Sequence, residues 1–269
     1  MSQFTVLGAG GFIGGHLAER LRRNGHDVVA VSRRDRVAYD RTLGHVVFCI
    51  GLTTDYWKRP LDTAEAHVCA LIPLLRADRF DSLTYLSSIR LYDGLEDAAS
   101  ETSDLRLNPQ TARHVYDFSK GLGEALTHNV GRRARVVRLG NVYDNELDQD
   151  DFLCRTVQRA VREDALEVDA DPEAGRDYVH VDDVCAAIEA IGLSGRESTY
   201  NVASGIVFTN SELAALCERE LNCRVTFRGA ASAHRSPRVD VTRLSREFKI
   251  DPVSPSGRLP GILKAIAAR

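Results

Sequence analysis

The sequence has 269 residues, with 35 Lys and Arg against 38 Asp and Glu, a formal net charge of -3, 43% hydrophobic and 27% charged residues. At roughly 150 residues per domain this is one large domain or two small ones, ample for a hydrophobic core, and the balanced charge without a basic run excludes nucleic acid as the main partner. No apolar run approaches the ~20 residues of a membrane span, and the six cysteines are scattered without a C-x-x-C pair, the pattern of free thiols in a reducing compartment, with no metal expected.

From Ser2 and Gln3 the chain runs straight into FTVLG, so no signal peptide is expected and the protein is read as soluble and cytoplasmic. Short apolar runs then alternate with segments of helical period, the pattern of βαβ units. Strands are expected at 3–8, 27–32, 45–50, 82–87, 135–139 and 199–203. Helices are expected at 12–24, 63–76, 114–128, 150–163, 182–192, 210–220 and 259–268. In the first helix Ile13, Leu17, Ala18 and Leu21 share one face. The fold class is α/β: a Rossmann-like doubly wound parallel sheet, shortened after the second strand, with a small C-terminal substrate-binding lobe. Residues 1–145 form the NAD(P)-binding domain, to which 178–206 return, and 146–269 are mainly the substrate lobe. The loops richest in breakers and charge are 93–111, 144–151, 169–177 and 229–239, where α/β folds keep their ligand loops.

The first strand-to-helix turn reads GAGGFIGG, with Gly8, Gly11 and Gly14 spaced G-x-x-G-x-x-G. Glycines allow a tight turn and close approach of a pyrophosphate, and free N–H groups at the helix start complement its charge. A ligand-free glycine turn has the same composition, but its place in the first βα unit points to a dinucleotide held by Gly8, Gly11, Phe12, Ile13 and Gly14. At the end of the second strand an acid would accept from the ribose 2′-hydroxyl of NAD; Ser32, Arg33 and Arg34 stand there instead. Arginine forks suit a 2′-phosphate, so NADP is preferred, with NAD possible. Ile50 and Gly51, ending the third strand, complete the cofactor side.

Tyr116 and Lys120 lie four apart in YDFSK, on one helical face, downstream of a strand ending in Ser87 and Ser88. A phenol of pKa ~10 is a poor proton donor and acceptor at neutral pH. A neighbouring cationic Lys favours the phenolate, and a Ser hydroxyl can hold a substrate carbonyl beside it.

The ordered set GAGGFIG, YLSSIRLY, Y-x-x-x-K, RLGNVY and RDYVHVDDV resembles an extended short-chain dehydrogenase/reductase, and more narrowly the NAD-dependent epimerase/dehydratase family, over essentially the whole chain. The resemblance implies Ser88 as catalytic serine, Tyr116 as acid/base, Lys120 as its partner on the nicotinamide ribose, and nucleotide-activated sugars as substrates. It implies substrate contacts at Ser88, Asn141 and Arg176, with one of Arg235 or Arg238 adding a second; Arg238 is preferred. An ion pair with Asp177, Asp182 or Asp183 is the alternative for Arg176. It also implies a homodimer pairing the helices at 63–76 and 114–128.

Two departures narrow the reaction. Relatives that dehydrate hexoses carry an Asp-Glu pair after the active Ser or Thr, and epimerase-reductases carry a Cys; here Ile89 and Arg90 follow Ser88. What remains is direct hydride transfer: an NADPH-dependent reductase of a keto-sugar nucleotide in polysaccharide or glycoside assembly. The alternatives are a 4-epimerase with tightly held NAD, a reductase of a non-sugar carbonyl, and, from another class, a non-catalytic dinucleotide sensor or scaffold. His67, where relatives carry Asn, is assigned no role. Only residues 33–44 separate Ser32 from His45, too few for the helix and strand a full dinucleotide fold places there.

Overall fold

The glycine turn, rather than any long element, sets the geometry of the N-terminal half. The structure is a computed structural model that describes residues 1–33, 35, 37, 39–229 and 236–268. Arg34 and Arg235, both expected near ligands, lie outside the described residues. β1 (Gln3–Leu7) is buried at four of its five positions and turns through Gly8 into α1 (Phe12–Arg23). β2 (Asp27–Val31) and β3 (His45–Phe48) flank β1 on opposite sides, both parallel to it. This is a switch point, and parallel sheets bind ligands in the crevice it opens beyond the strand C-termini.

The expected helix at 63–76 is interrupted. α2 (Pro60–Ala64) starts earlier, on a proline at its first turn. A π turn at Glu65–Cys69 follows, and α3 (Ile72–Ala77) restarts with Pro73 in its own first turn. A proline lacks the N–H needed to continue a helix, so it sits where that N–H has no partner anyway. β4 (Ser82–Ser88) runs into a 3₁₀ turn at Ile89–Tyr92 and the short β5 (Ala98–Ala99). Beyond it come α4 (His114–His128), β6 (Ala134–Leu139) and β7 (Asn141–Tyr143). α5 (Phe152–Ala160) begins two residues later than expected, because Asp151 accepts from the Cys154 N–H and caps it.

The second half alternates short strands with helices: β8 (Ala165–Val168), β9 (Gly175–His180), α6 (Val181–Ser194), β10 (Thr199–Val202) and β11 (Val207–Thr209). α7 (Asn210–Leu221), β12 (Arg224–Phe227), β13 (Arg238–Val239), α8 (Thr242–Phe248) and α9 (Pro255–Ala267) complete the chain. Six strands form one parallel sheet in the order β10-β6-β4-β3-β1-β2. β2 is therefore an edge strand, and among the described residues nothing regular spans 33–44, which is the shortening read from the sequence.

α1 and α6 cover one face of this sheet, with Leu17, Leu21, Val184 and Ile188 packed on Phe4 and Val6. The other face buries Phe48, Leu71, Leu74 and Tyr85. β10 and α6 thus belong to the main sheet, as does Leu244 of α8, which joins the first core. A separate core gathers Leu153, Val157, Phe208, Leu213, Leu259 and Leu263, served by the small sheets β11-β9-β7 and β12-β8.

A buried ion pair fixes α4 against the sheet. Arg138 of β6 donates to both Glu124 oxygens at 2.9 and 2.6 Å and to the Tyr92 hydroxyl at 2.8 Å. Tyr92 in turn donates to Asn201 at 2.9 Å. Every member is satisfied, the condition under which a buried polar network specifies one arrangement.

Candidate active site

Gly8 has φ +90°, and its N–H and that of Ala9 both donate to the Val31 carbonyl, at 2.9 and 3.0 Å. A Cβ on Gly14 would stand 2.3 Å from the Gly8 oxygen, so only glycine lets α1 sit on the turn. Gly11 caps α1 without a side-chain hydrogen bond, and the first turn has no acid. Its N–H groups and the positive end of the helix dipole therefore face the crevice uncompensated. Gly11, Phe12, Ile13 and Gly14 line one end of a cleft of about 1070 Å³ that runs past Ser88 and Tyr116 to Arg176.

The sequence-predicted trio converges in the middle of this cleft. β4 delivers Ser88 at its C-terminal end, and α4 presents Tyr116 and Lys120 one turn apart, both buried. The Ser88 hydroxyl stands beside the Tyr116 phenol and favours its phenolate. Lys120 Nζ donates to the Leu86 carbonyl at 2.8 Å and stands 5.9 Å from the Tyr116 ring centre. Burial pushes the Tyr116 phenol up to about 12, opposed by the Ser88 hydroxyl and then by the Arg90 cation. Burial likewise lowers Lys120 to about 8, partly offset by Glu124 and Cys49. Loss of water penalises both charged forms, and this outweighs their neighbours.

His67, given no role from the sequence, positions the site. Its Nε2 accepts the Leu52 N–H at 3.1 Å, so Nδ1 carries the proton and donates to Ser119 Oγ at 2.7 Å. Ser119 then donates to the Tyr116 carbonyl at 2.8 Å. Burial, with Lys120 beside it, drops His67 to about 2, so the ring stays neutral and the relay of donors keeps one direction. The imidazole packs edge-on to Tyr116 with ring centres 5.1 Å apart. A Cβ at Gly51, a residue expected on the cofactor side, would come 3.3 Å from its Nε2, so the two pack closely. Ile50 is half-buried and packs into the core beneath.

Toward the far end, Asn141 Nδ2 donates to the Asp177 carbonyl at 3.0 Å. Arg176 is exposed, lines the cleft and lies across Phe152, 5.9 Å from the ring centre. The ion pair considered for it does not form among the described residues. The Asp177 carboxylate accepts from the Ser204 N–H and hydroxyl and the Gly205 N–H at 2.7–2.8 Å. Burial nevertheless pushes its pKa up to about 6. Asp182 and Asp183 face Arg258 instead, at 3.9 and 3.1 Å.

Arg238 is exposed on β13 and does not line the cleft, where its neighbours Ser236, Pro237 and Val239 do. On the edge strand, Ser32 donates its N–H and hydroxyl to the Asp35 carboxylate, each at 2.6 Å, and Arg33 is exposed beside it. Sequence reasoning passed over Tyr56, Trp57 and Arg113, which also line the cleft. Tyr56 and Trp57 had one available signal, their place just past the C-terminal end of the third strand.

Comparison with known proteins agrees with this geometry. The sequence profile of the NAD dependent epimerase/dehydratase family matches residues 4–203. UDP-glucuronic acid decarboxylase 4 of Arabidopsis thaliana is 25% identical over 260 residues, covering 83% of this chain and 59% of that protein. This chain spans a little under six-tenths of the two decarboxylases that head its curated relatives. dTDP-4-dehydro-6-deoxy-D-allose reductase of Streptomyces bikiniensis is 24% identical, covering 92% of this chain and 90% of the reductase. The structure of RMD from Pseudomonas aeruginosa complexed with NADPH superposes with a TM-score of 0.81 at 22% identity, over 100% of both chains. With the glycine turn, the Ser-Tyr-Lys trio and the parallel sheet in place, the chain belongs to the NAD-dependent epimerase/dehydratase family.

Proposed function

We propose that this protein is an NADPH-dependent reductase of a keto-sugar carried on a nucleoside diphosphate. The observation that carries this reading is the seating of Ser88 on the Tyr116 phenol, inside the cleft that α1 opens onto, with Arg90 rather than an acid two residues after Ser88. The glycine turn fits a dinucleotide, because the backbone clearance at Gly14 and the unpaired N–H groups of α1 suit a pyrophosphate. A bound dihydronicotinamide supplies the hydride for the substrate carbonyl carbon. Tyr116, kept protonated by burial, holds the proton that the carbonyl oxygen takes up. Ser88 orients that oxygen beside the phenol, and Lys120 supplies a nearby positive charge. Arg176 reads the substrate diphosphate, and a homodimer forms through α4, whose Phe118 and Leu122 are 39% and 51% exposed on one stripe.

One observation favours a second reading, a 4-epimerase retaining NAD. Asp35 sits against Ser32 at the edge of the adenosine side, and a carboxylate there accepts a ribose hydroxyl. Incubating the full chain with NADPH and a panel of 4-keto nucleotide-sugars separates the two. The reductase consumes NADPH and gives a product heavier by two hydrogens. Protein that is purified with bound NAD and isomerises a nucleotide-sugar without net NADPH use overturns that reading.

A further inference from the structure

We propose that Arg90 acts through Tyr116 as a second cation of the site, stabilising the charge that develops on the phenol against the opposing charge of Asp117. This rests on the reading of Tyr116 as the acid/base. Ser88 accepts the Arg90 N–H at 3.2 Å and so caps the 3₁₀ turn that carries the arginine over α4. The guanidinium carbon lies over both rings from one side, 5.2 Å from the Tyr116 ring centre and 4.4 Å from that of Tyr56, the two ring centres being 5.1 Å apart. Its Nε approaches Asp117 Oδ1 to 3.2 Å without hydrogen-bond alignment, so the attraction is charge on charge.

Ser88 acts on the phenol more strongly than Arg90 but carries no charge, and the other charged or titratable groups facing Tyr116 do less to discriminate between its two protonation states. Lys120 is committed to the Leu86 carbonyl, and His67 is neutral. Asp93 and Arg113 pair with each other at 2.7 Å, so their fields largely cancel at the phenol, and His114 stands at the solvent end of α4. Burial keeps the Tyr85 phenol protonated. Arg90 and Asp117 are left as the pair with opposing effects on Tyr116. At an effective dielectric of about 20, a unit charge some 6 Å away moves a titration by on the order of one to two pH units.

Their opposite signs make the test. Tyr116→2,3,5-trifluorotyrosine brings the phenol into a range where the full chain stays folded, and fluorine NMR reads its ionisation. Arg90→Met is expected to raise the midpoint by about one pH unit, and Arg90→Lys to recover most of that rise, because charge rather than shape is responsible. Asp117→Asn is expected to lower the midpoint. The pH profile of kcat for NADPH oxidation should move in the same order. A midpoint unmoved by Arg90→Met, or one that Asp117→Asn moves upward, overturns the proposal. A Tyr116→Phe enzyme with full activity would instead overturn the acid/base reading and leave the titration result standing.

Discussion

Lys120 shows what the site costs the fold. Its ordinary value is 10.5, and burial holds it at about 8 in the folded chain. Between those values the unfolded chain carries more protons, so stability rises with pH across that window, and the charging penalty is present in full below about 8. Lys120→Met is therefore expected to stabilise the protein by on the order of 2 kcal/mol at pH 7, a gain that fades as pH approaches the unfolded value. Thermal unfolding at pH 7 and pH 10 checks the sign, and NADPH oxidation by the same variant should fall by roughly 10²-fold or more. The spacing of Tyr116 and Lys120 was readable because one helix carries both, a local relation. The Arg90–Asp117 contact and the hydrogen bonds of His67 were not readable, because each joins segments distant in sequence.

At the scale of elements, the informative feature is the edge position of β2. No regular element is described between Ser32 and β3, so under the proposed function no outer strand shelters the adenosine and the phosphate contacts carry cofactor affinity. Arg33→Ala is expected to weaken NADPH binding about tenfold while leaving NADH binding unchanged. Raising salt should weaken NADPH binding for the parent chain more steeply than for the variant. Equal affinities by titration calorimetry would remove Arg33 from the site, and would favour the Asp35 reading. The shortening was legible from chain length alone, since residues 33–44 cannot hold a helix and a strand. The break at α2, the π turn and α3 was not legible as a break, because its apolar positions keep helical spacing on both sides of Pro73. Of the strands outside the expected set, β5 and β13 lie wholly within the charged loops 93–111 and 229–239, and the others, none longer than six residues, are too short for a two-residue alternation to stand out.

Across the whole molecule, the cleft lies between the main sheet and the second core, and Arg176 reaches it from β9, which belongs to a small sheet. Arg176→Ala is expected to raise the KM for the nucleotide-sugar by about 10- to 100-fold with little change in NADPH affinity. Steady-state kinetics in both substrates separates the two effects, and a rise in KM for NADPH alone would place Arg176 on the cofactor side. By itself the sequence determined the alternation of strands and helices, the glycine turn, the Ser-Tyr-Lys trio and the lost unit after β2. All of these follow from residue type and spacing within one or two elements. Tertiary structure alone decided that Asp177 belongs to the 204–205 turn and leaves Arg176 facing the cleft, that Arg238 lies off it, and that Tyr116 is buried deeply enough to hold its proton. Charges and desolvation act through space, and the distances that set them exist only once the chain has folded.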